Sequence, residues 1–207
     1  MPRHTDTRSR ARDEFARLLA ERGYLGVSLD EIAQTVDVRK ASLYHHFPGG
    51  KPALLTAVAH HYIEQTSAVL AGALEAGTTL RERLLALAGT YASGTYDPAL
   101  GDQIYTATRH LDEAARSEVS HAYVDGLIAP VTALMDRAVR TGELRAADPG
   151  FLATAFMELA AMLQPMPEEV AMPPGERPAQ DPAARLAENV VDLFLRGAAP
   201  ERCGRRG

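Results

Sequence analysis

Residues 24–55, YLGVSLDEIAQTVDVRKASLYHHFPGGKPALL, constrain this chain most, because they read as two short helices joined by a tight turn and followed by the start of a long helix. Ser28, with Glu31 three residues on, has the pattern of a reciprocal capping box, which satisfies two orphan amide donors at a helix start. Leu29, Ile32, Ala33 and Val36 then recur at helical spacing as one buried stripe, while Asp30, Glu31, Gln34 and Thr35 fall on the wet side. Asp37 breaks the pattern. A tight turn between helices needs a residue that tolerates positive φ, and Asp is among the few non-glycine types that do. Val38 is expected to plug the corner. The second helix, Arg39 to Phe47, buries Leu43 and Phe47 and leaves Arg39, Lys40, Ser42, Tyr44 and His45 facing outward.

Two adjacent cations at a helix start are unfavourable unless something anionic lies ahead, because the helix dipole repels positive side chains at its N-terminus. Bound DNA removes that penalty. Arg and Lys donate to guanine O6 and N7 in the major groove, while Ser, Tyr and His donors suit phosphate oxygens. A solvated basic face has the same composition; the flanking two-helix pattern favours DNA.

The segment resembles the DNA-binding domain of TetR-family (tetracycline-repressor-like) transcriptional regulators. The resemblance rests on Gly26, Ser28, Leu29, Ile32 and Ala33, then Ser42-Leu43-Tyr44 with Phe47, then Lys51 and Leu54-Leu55. It covers roughly a quarter of the chain, and the Phe47-Pro48-Gly49-Gly50-Lys51 loop is similar to that of the LmrA/YxaF-like branch. The resemblance implies an all-α fold, with an N-terminal three-helix helix-turn-helix head and a helical ligand-binding and dimerisation body, about nine helices in all. It also implies that Ser28 contacts phosphate, that Arg39, Lys40 and Ala41 face base edges, and that Ser42, Tyr44, His45 and Lys51 contact the DNA backbone. Three features depart from the family pattern: Asp37 replaces the usual turn Gly, Arg39 stands where a small capping residue is common, and the loop before Lys51 is one residue longer.

At 207 residues and 46% hydrophobic content, the chain can bury a core larger than the head alone needs. No apolar run approaches a membrane span, and the N-terminus MPRHTDTRSR lacks the apolar stretch of a signal peptide, so a cytoplasmic protein is expected. A single cysteine, Cys203, excludes an internal disulfide and a Cys-cluster metal site. The net charge of −5 is unevenly divided: residues 1–60 carry nine Lys/Arg and seven Asp/Glu, residues 61–207 thirteen and twenty. Such asymmetry suits a head that meets phosphate and a body that does not. Arg3, Arg8, Arg10, Arg12 and Arg17 precede or open the first helix, as an arm able to touch DNA or simply to solubilise.

Helix starts are marked further on by Asp97-Pro98, Asp148-Pro149 and Asp181-Pro182, each an N-cap acceptor before a proline at the first helical position, and by Thr79 with Glu82. These signals predict helices near 8–22, 28–36, 39–46, 51–74, 79–94, 98–109, 114–141, 149–164 and 182–197, with a kink at Pro130. No segment alternates as a strand. The stretch 165–182, with six prolines, is expected to be a loop. The expected domains are 1–50 (DNA-binding), 51–200 (effector-binding and dimerisation) and 201–207, a basic tail.

Leu152, Phe156, Leu159 and Leu163 in one helix, and Leu186, Val190 and Leu193 in the next, form an apolar seam that needs a partner. It can be buried within one chain; the resemblance implies instead a four-helix dimer interface, and hence a homodimer on a palindromic double-stranded operator. Tyr62, Tyr91, Tyr96, Tyr105, His110, Tyr123, Phe156, Met157 and Met162 form a pool for the effector pocket, whose ligand is expected to be a small apolar or aromatic molecule. Catalysis is not expected. His45-His46 and His60-His61 are adjacent and do not share a helix face, His60 with Glu64 lacks a third ligand, and the chain has no GxSxG elbow, P-loop or GxGxxG. No metal and no cofactor is expected. The whole reads as a ligand-released repressor; a helical ligand-binding or scaffold protein that no longer binds DNA is the alternative that Asp37 and Arg39 would support.

Overall fold

A computed structural model of the chain describes residues 4–94, 97–164 and 183–200. Arg3, Tyr96, the proline-rich 165–182 stretch and the basic tail with Cys203 lie outside the described residues. Among the described residues, ten α-helices follow in order: α1 His4–Arg22, α2 Leu29–Thr35, α3 Lys40–His46, α4 Lys51–Glu75, α5 Leu80–Ala92, α6 Pro98–Ala107, α7 Glu113–Tyr123, α8 Ala129–Arg140, α9 Pro149–Ala161 and α10 Ala183–Gly197. Single 3-10 turns occupy Tyr24–Gly26 and Thr108–His110, and among the described residues there is no strand.

Side-chain caps explain half of these helix starts. Asp97 Oδ1 accepts from the Leu100 amide at 3.0 Å and Asp148 Oδ1 from the Phe151 amide at 2.7 Å, each with proline in the first turn. Thr79 and Glu82 form the complete reciprocal box. Asp112 caps α7 through the Ala115 amide at 2.8 Å, which starts that helix at Glu113. The box expected at α2 is half formed: the Ser28 hydroxyl accepts from the Glu31 amide at 3.1 Å, but the Glu31 carboxylate turns to Arg22 at 2.7 Å.

Two expectations change. The helix predicted over 114–141 is two helices, α7 and α8, separated by a π turn at Val124–Ile128, with Pro130 in the first turn of α8. Proline has no amide hydrogen for the preceding turn, so the chain widens before it and restarts with proline where no donor is needed. Helix α1 also starts earlier than predicted, at His4 instead of near residue 8, and holds Arg8, Arg10 and Arg12, with Arg12 bound to Asp13 at 2.7 Å and the Arg8 guanidinium 5.6 Å from the Phe47 ring centroid.

The contacts divide the chain into two compact units. The first comprises residues up to Gln65 together with Asp97–Val124, so α6 and α7 join the head. Its core holds Phe15, Leu18 and Leu19 of α1, Ile32, Ala33 and Val36 of α2, Leu43 and Phe47 of the second short helix, Leu54, Leu55 and Val58 of α4, and Ile104 of α6, all buried. The second comprises Thr66–Tyr96 and residues from Asp125 on. There α5, α8, α9 and α10 pack around Leu84, Leu87, Val131, Met135, Phe156, Val191 and Phe194, with the Phe156 and Phe194 rings edge to face at 5.2 Å. An Arg81–Asp192 ion pair ties α5 to α10 at the surface.

Within this second unit the seam residues divide. Leu152 and Phe156 are 2% and 0% exposed, inside their own unit, and so are not available to a partner. Leu159, Leu163 and Val190 are half-buried, while Leu186 and Leu193 are 36% and 62% exposed. Helix α9 is apolar on almost every side, so spacing along it cannot tell the inner face from the outer.

Candidate nucleic-acid interface

The turn between α2 and α3 is built on Asp37, at φ 55°, the one non-glycine residue with positive φ among the described residues. The Val38 amide donates to the Ala33 carbonyl at 2.9 Å and the Asp37 amide to the Gln34 carbonyl at 3.2 Å. These are the two bonds of a Schellman closure, with aspartate where glycine is usual. Ile32, Ala33, Val36, Leu43 and Phe47 are buried beneath, which fixes the rotation of α3 about its axis.

That rotation exposes the residues expected to meet DNA. Ser28, Arg39, Lys40, Ala41, Tyr44 and His45 are exposed, and Ser42 is half-buried. Arg39 occupies the N-cap of α3 with extended backbone, and its side chain makes no cap bond. Lys40 reaches back to α2, where its Nζ lies 2.8 Å from Asp30 Oδ2, and this bond raises its pKa. Tyr44 packs its ring on the loop before α4: a Cβ on Gly50, whose φ is +66°, would lie 3.2 Å from Tyr44 Cε1. Gly50 is thus required twice, for its backbone and for the ring.

Lys51 is placed differently from the rest. Its Nζ sits 4.2 Å from the centroid of the Tyr24 ring, and burial lowers its pKa. The same ring stacks on His110 at 4.5 Å, with 13° between planes, and meets Phe15 edge-on at 6.3 Å. Tyr24, Asp30 and Gly50 are the residues that sequence reasoning missed here. The partners of Tyr24 and Asp30 lie nine or more residues away in the chain, and only the glycine loop carried a local signal.

The described residues of the effector pool are divided between the two compact units. In the first unit, Tyr62 is buried and donates its hydroxyl to the Asp97 carbonyl at 3.1 Å, beside a cleft of about 310 Å³ that it lines with His61, Gln65 and Leu100. His110 stacks on Tyr24, while Tyr105 and Tyr123 are 83% and 43% exposed. In the second unit, Phe156 is in the core, Tyr91 and Met157 pack partly exposed against it, and Met162 is 77% exposed. His60 meets Glu118 of α7 at 3.0 Å. Among the described residues no three His, Cys, Asp or Glu are grouped to hold a metal, and no helix is long and apolar enough to cross a membrane.

Comparison with known proteins matches residues 13–58 to the bacterial regulatory proteins of the tetR family, and residues 82–197 to the C-terminal domain of AefR-like transcriptional repressors. The biofilm operon negative regulator IcaR of Staphylococcus aureus is 49% identical over 39 residues, 19% of this chain and 21% of IcaR. The transcriptional regulator LmrA of Bacillus subtilis is 33% identical over 81 residues, 39% of this chain and 43% of LmrA. The chain therefore matches less than half the length of these curated relatives. Among solved structures, the regulator PfmR from Thermus thermophilus superposes with TM-score 0.66 at 25% identity, over 90% of this chain and 97% of PfmR. AibR, solved with isovaleryl coenzyme A and operator DNA, superposes with TM-score 0.70 at 20% identity, over 91% and 98%.

Proposed function

Because the chain belongs to the TetR family of bacterial regulatory proteins, we propose that it is a homodimeric repressor that binds a palindromic operator and is released by a small molecule. The observation that carries this reading is the presentation of α3: a Schellman turn and five buried apolar side chains hold it so that Arg39, Lys40, Ala41, Tyr44 and His45 are exposed together. Arg39, at the N-cap and without an ion pair among the described residues, reads a base edge. Ser28, Ser42, Tyr44 and His45 donate to phosphate and set the register.

The dimer forms through the outer faces of α9 and α10, where Leu159, Leu163, Leu186, Val190 and Leu193 retain exposure. A twofold axis there presents two copies of α3, and half-sites about one duplex turn apart follow. The effector is apolar or partly so, an acyl thioester of the kind bound by AibR being one class to screen. Tyr91 and Met157 are its best candidate walls, since they combine partial exposure with packing on the second unit's core. Release requires the effector to favour a DNA-incompetent conformation, and a hundredfold release corresponds to about 2.7 kcal/mol of coupling.

The test is an electrophoretic shift on the DNA upstream of the protein's own gene, with specific and nonspecific competitors. A shift that survives nonspecific competitor supports the reading, and complete competition by unrelated duplex at every upstream fragment, followed by failure of an unbiased DNA selection, overturns it.

A further inference from the structure

The helix-turn-helix is bracketed by Tyr24 before it and Lys51 after it, and the two meet: the Lys51 ammonium is 4.2 Å from the Tyr24 ring centroid. His110, from the 3-10 turn that follows α6, stacks on the same ring at 4.5 Å and nearly parallel. The ring is thus engaged at once by a cation and by an imidazole from two separate parts of the chain. The geometry points to His110 and Lys51 as positioning residues for DNA binding, clamping Tyr24 so that both ends of the helix-turn-helix are fixed to one point on the α6 turn.

Independent contacts support a clamp at this place. Phe15 of α1 meets the Tyr24 ring edge-on at 89°. Next to it Gly23, at φ +69°, comes so near α6 that a Cβ there would lie 3.1 Å from Gln103 Oε1. The ring itself is partly withdrawn from water, which raises the phenol pKa, and burial likewise disfavours the charged form of Lys51. An ammonium drawn onto an aromatic face is poorly placed to release counterions from phosphate. The assignment therefore departs from the backbone contact that the family resemblance implies for Lys51. It rests on the DNA-binding reading above, but its structural half does not.

The experiment compares wild type, His110→Ala, His110→Phe and Lys51→Ala by amide hydrogen exchange over residues 24–50 and by operator titration at several salt concentrations. In His110→Ala, exchange around Tyr24–Gly26 rises and operator affinity falls about tenfold, the scale of one aromatic contact, with the slope of log affinity against log salt unchanged. His110→Phe, which keeps a ring on Tyr24, restores both. Lys51→Ala weakens binding without flattening the salt slope. Wild-type exchange in His110→Ala, no rescue by His110→Phe, or a Lys51→Ala slope flatter by about 0.9, the loss of one phosphate contact, overturns the proposal. If wild type binds no DNA specifically, the regulator reading falls on its own, and the exchange data alone decide the clamp.

Discussion

Asp37 carries a conformational penalty that a glycine would not. An L-residue in the left-handed region costs about 1 kcal/mol, and Asp37 sits there at φ 55° with an exposed side chain. Asp37→Gly is expected to be stabilising by up to about 1 kcal/mol, less what glycine loses in unfolded-state entropy, and Asp37→Val destabilising; the denaturation midpoint reads both. A stabilised valine variant would show that the turn is not held as described. On the next helix, Lys40 is held by Asp30 while Arg39 has no ion pair among the described residues. Arg39→Ala should therefore cost about 1–3 kcal/mol of operator affinity and relax one base position per half-site. Asp30→Asn releases Lys40 to phosphate, so nonspecific affinity rises and the salt slope steepens by about 0.9. Equal salt slopes for Asp30→Asn and wild type would show that the ion pair does not restrain Lys40. Asp37 was legible in the sequence because its signal is local and steric. The Asp30–Lys40 pair and the Tyr24 clamp were not, because each joins residues whose meeting depends on the fold.

Caps decide where the elements begin, and the best made is at α5. Glu82 accepts the Thr79 and Thr78 amides and the Thr78 hydroxyl, and these bonds lower its pKa from 4.5 to about 2. A carboxyl whose folded pKa is depressed contributes stability that is complete above its unfolded pKa and is lost as pH falls through the folded value. The contribution is thus full above 4.5 and disappears as pH falls toward 2. The melting-temperature difference between wild type and Glu82→Gln should be largest near neutrality and shrink through that window, and a difference independent of pH would remove Glu82 from the cap. Several helix starts were legible for the same reason: Asp97, Asp148 and Thr79 act within three residues of themselves. Glu31 shows where such reasoning stops, since Arg22, nine residues earlier, takes the carboxylate that the box pattern assigned to Ser28. At Pro130 the predicted irregularity is present but takes the form of a π turn ahead of the proline, a choice between bend types that composition does not encode.

Over the whole molecule, the sequence separates a head with excess cations from an acidic remainder, and the contacts add α6 and α7 to the head's compact unit. That addition was not legible, because α6 has no motif; its membership follows from packing against α1 and from the Tyr24 stack. The apolar seam was legible as a pattern, but its inner and outer sides were not, and Leu152 and Phe156 prove to be core. Leu193→Arg, at a position 62% exposed, should leave the fold intact and yield monomers by light scattering, with operator affinity reduced to that of a single head. A variant that remains dimeric would place the interface elsewhere. The central claim is that two copies of α3 read one palindrome, and it is tested most directly by titrating labelled operator, a single half-site and a base-scrambled duplex with wild type and Arg39→Ala while measuring the protomers bound at saturation. The account predicts two protomers on the operator, much weaker binding to the half-site, and a preference over scrambled DNA that Arg39→Ala largely removes. Equal affinity for operator and scrambled duplex, or a preference untouched by Arg39→Ala, would contradict it.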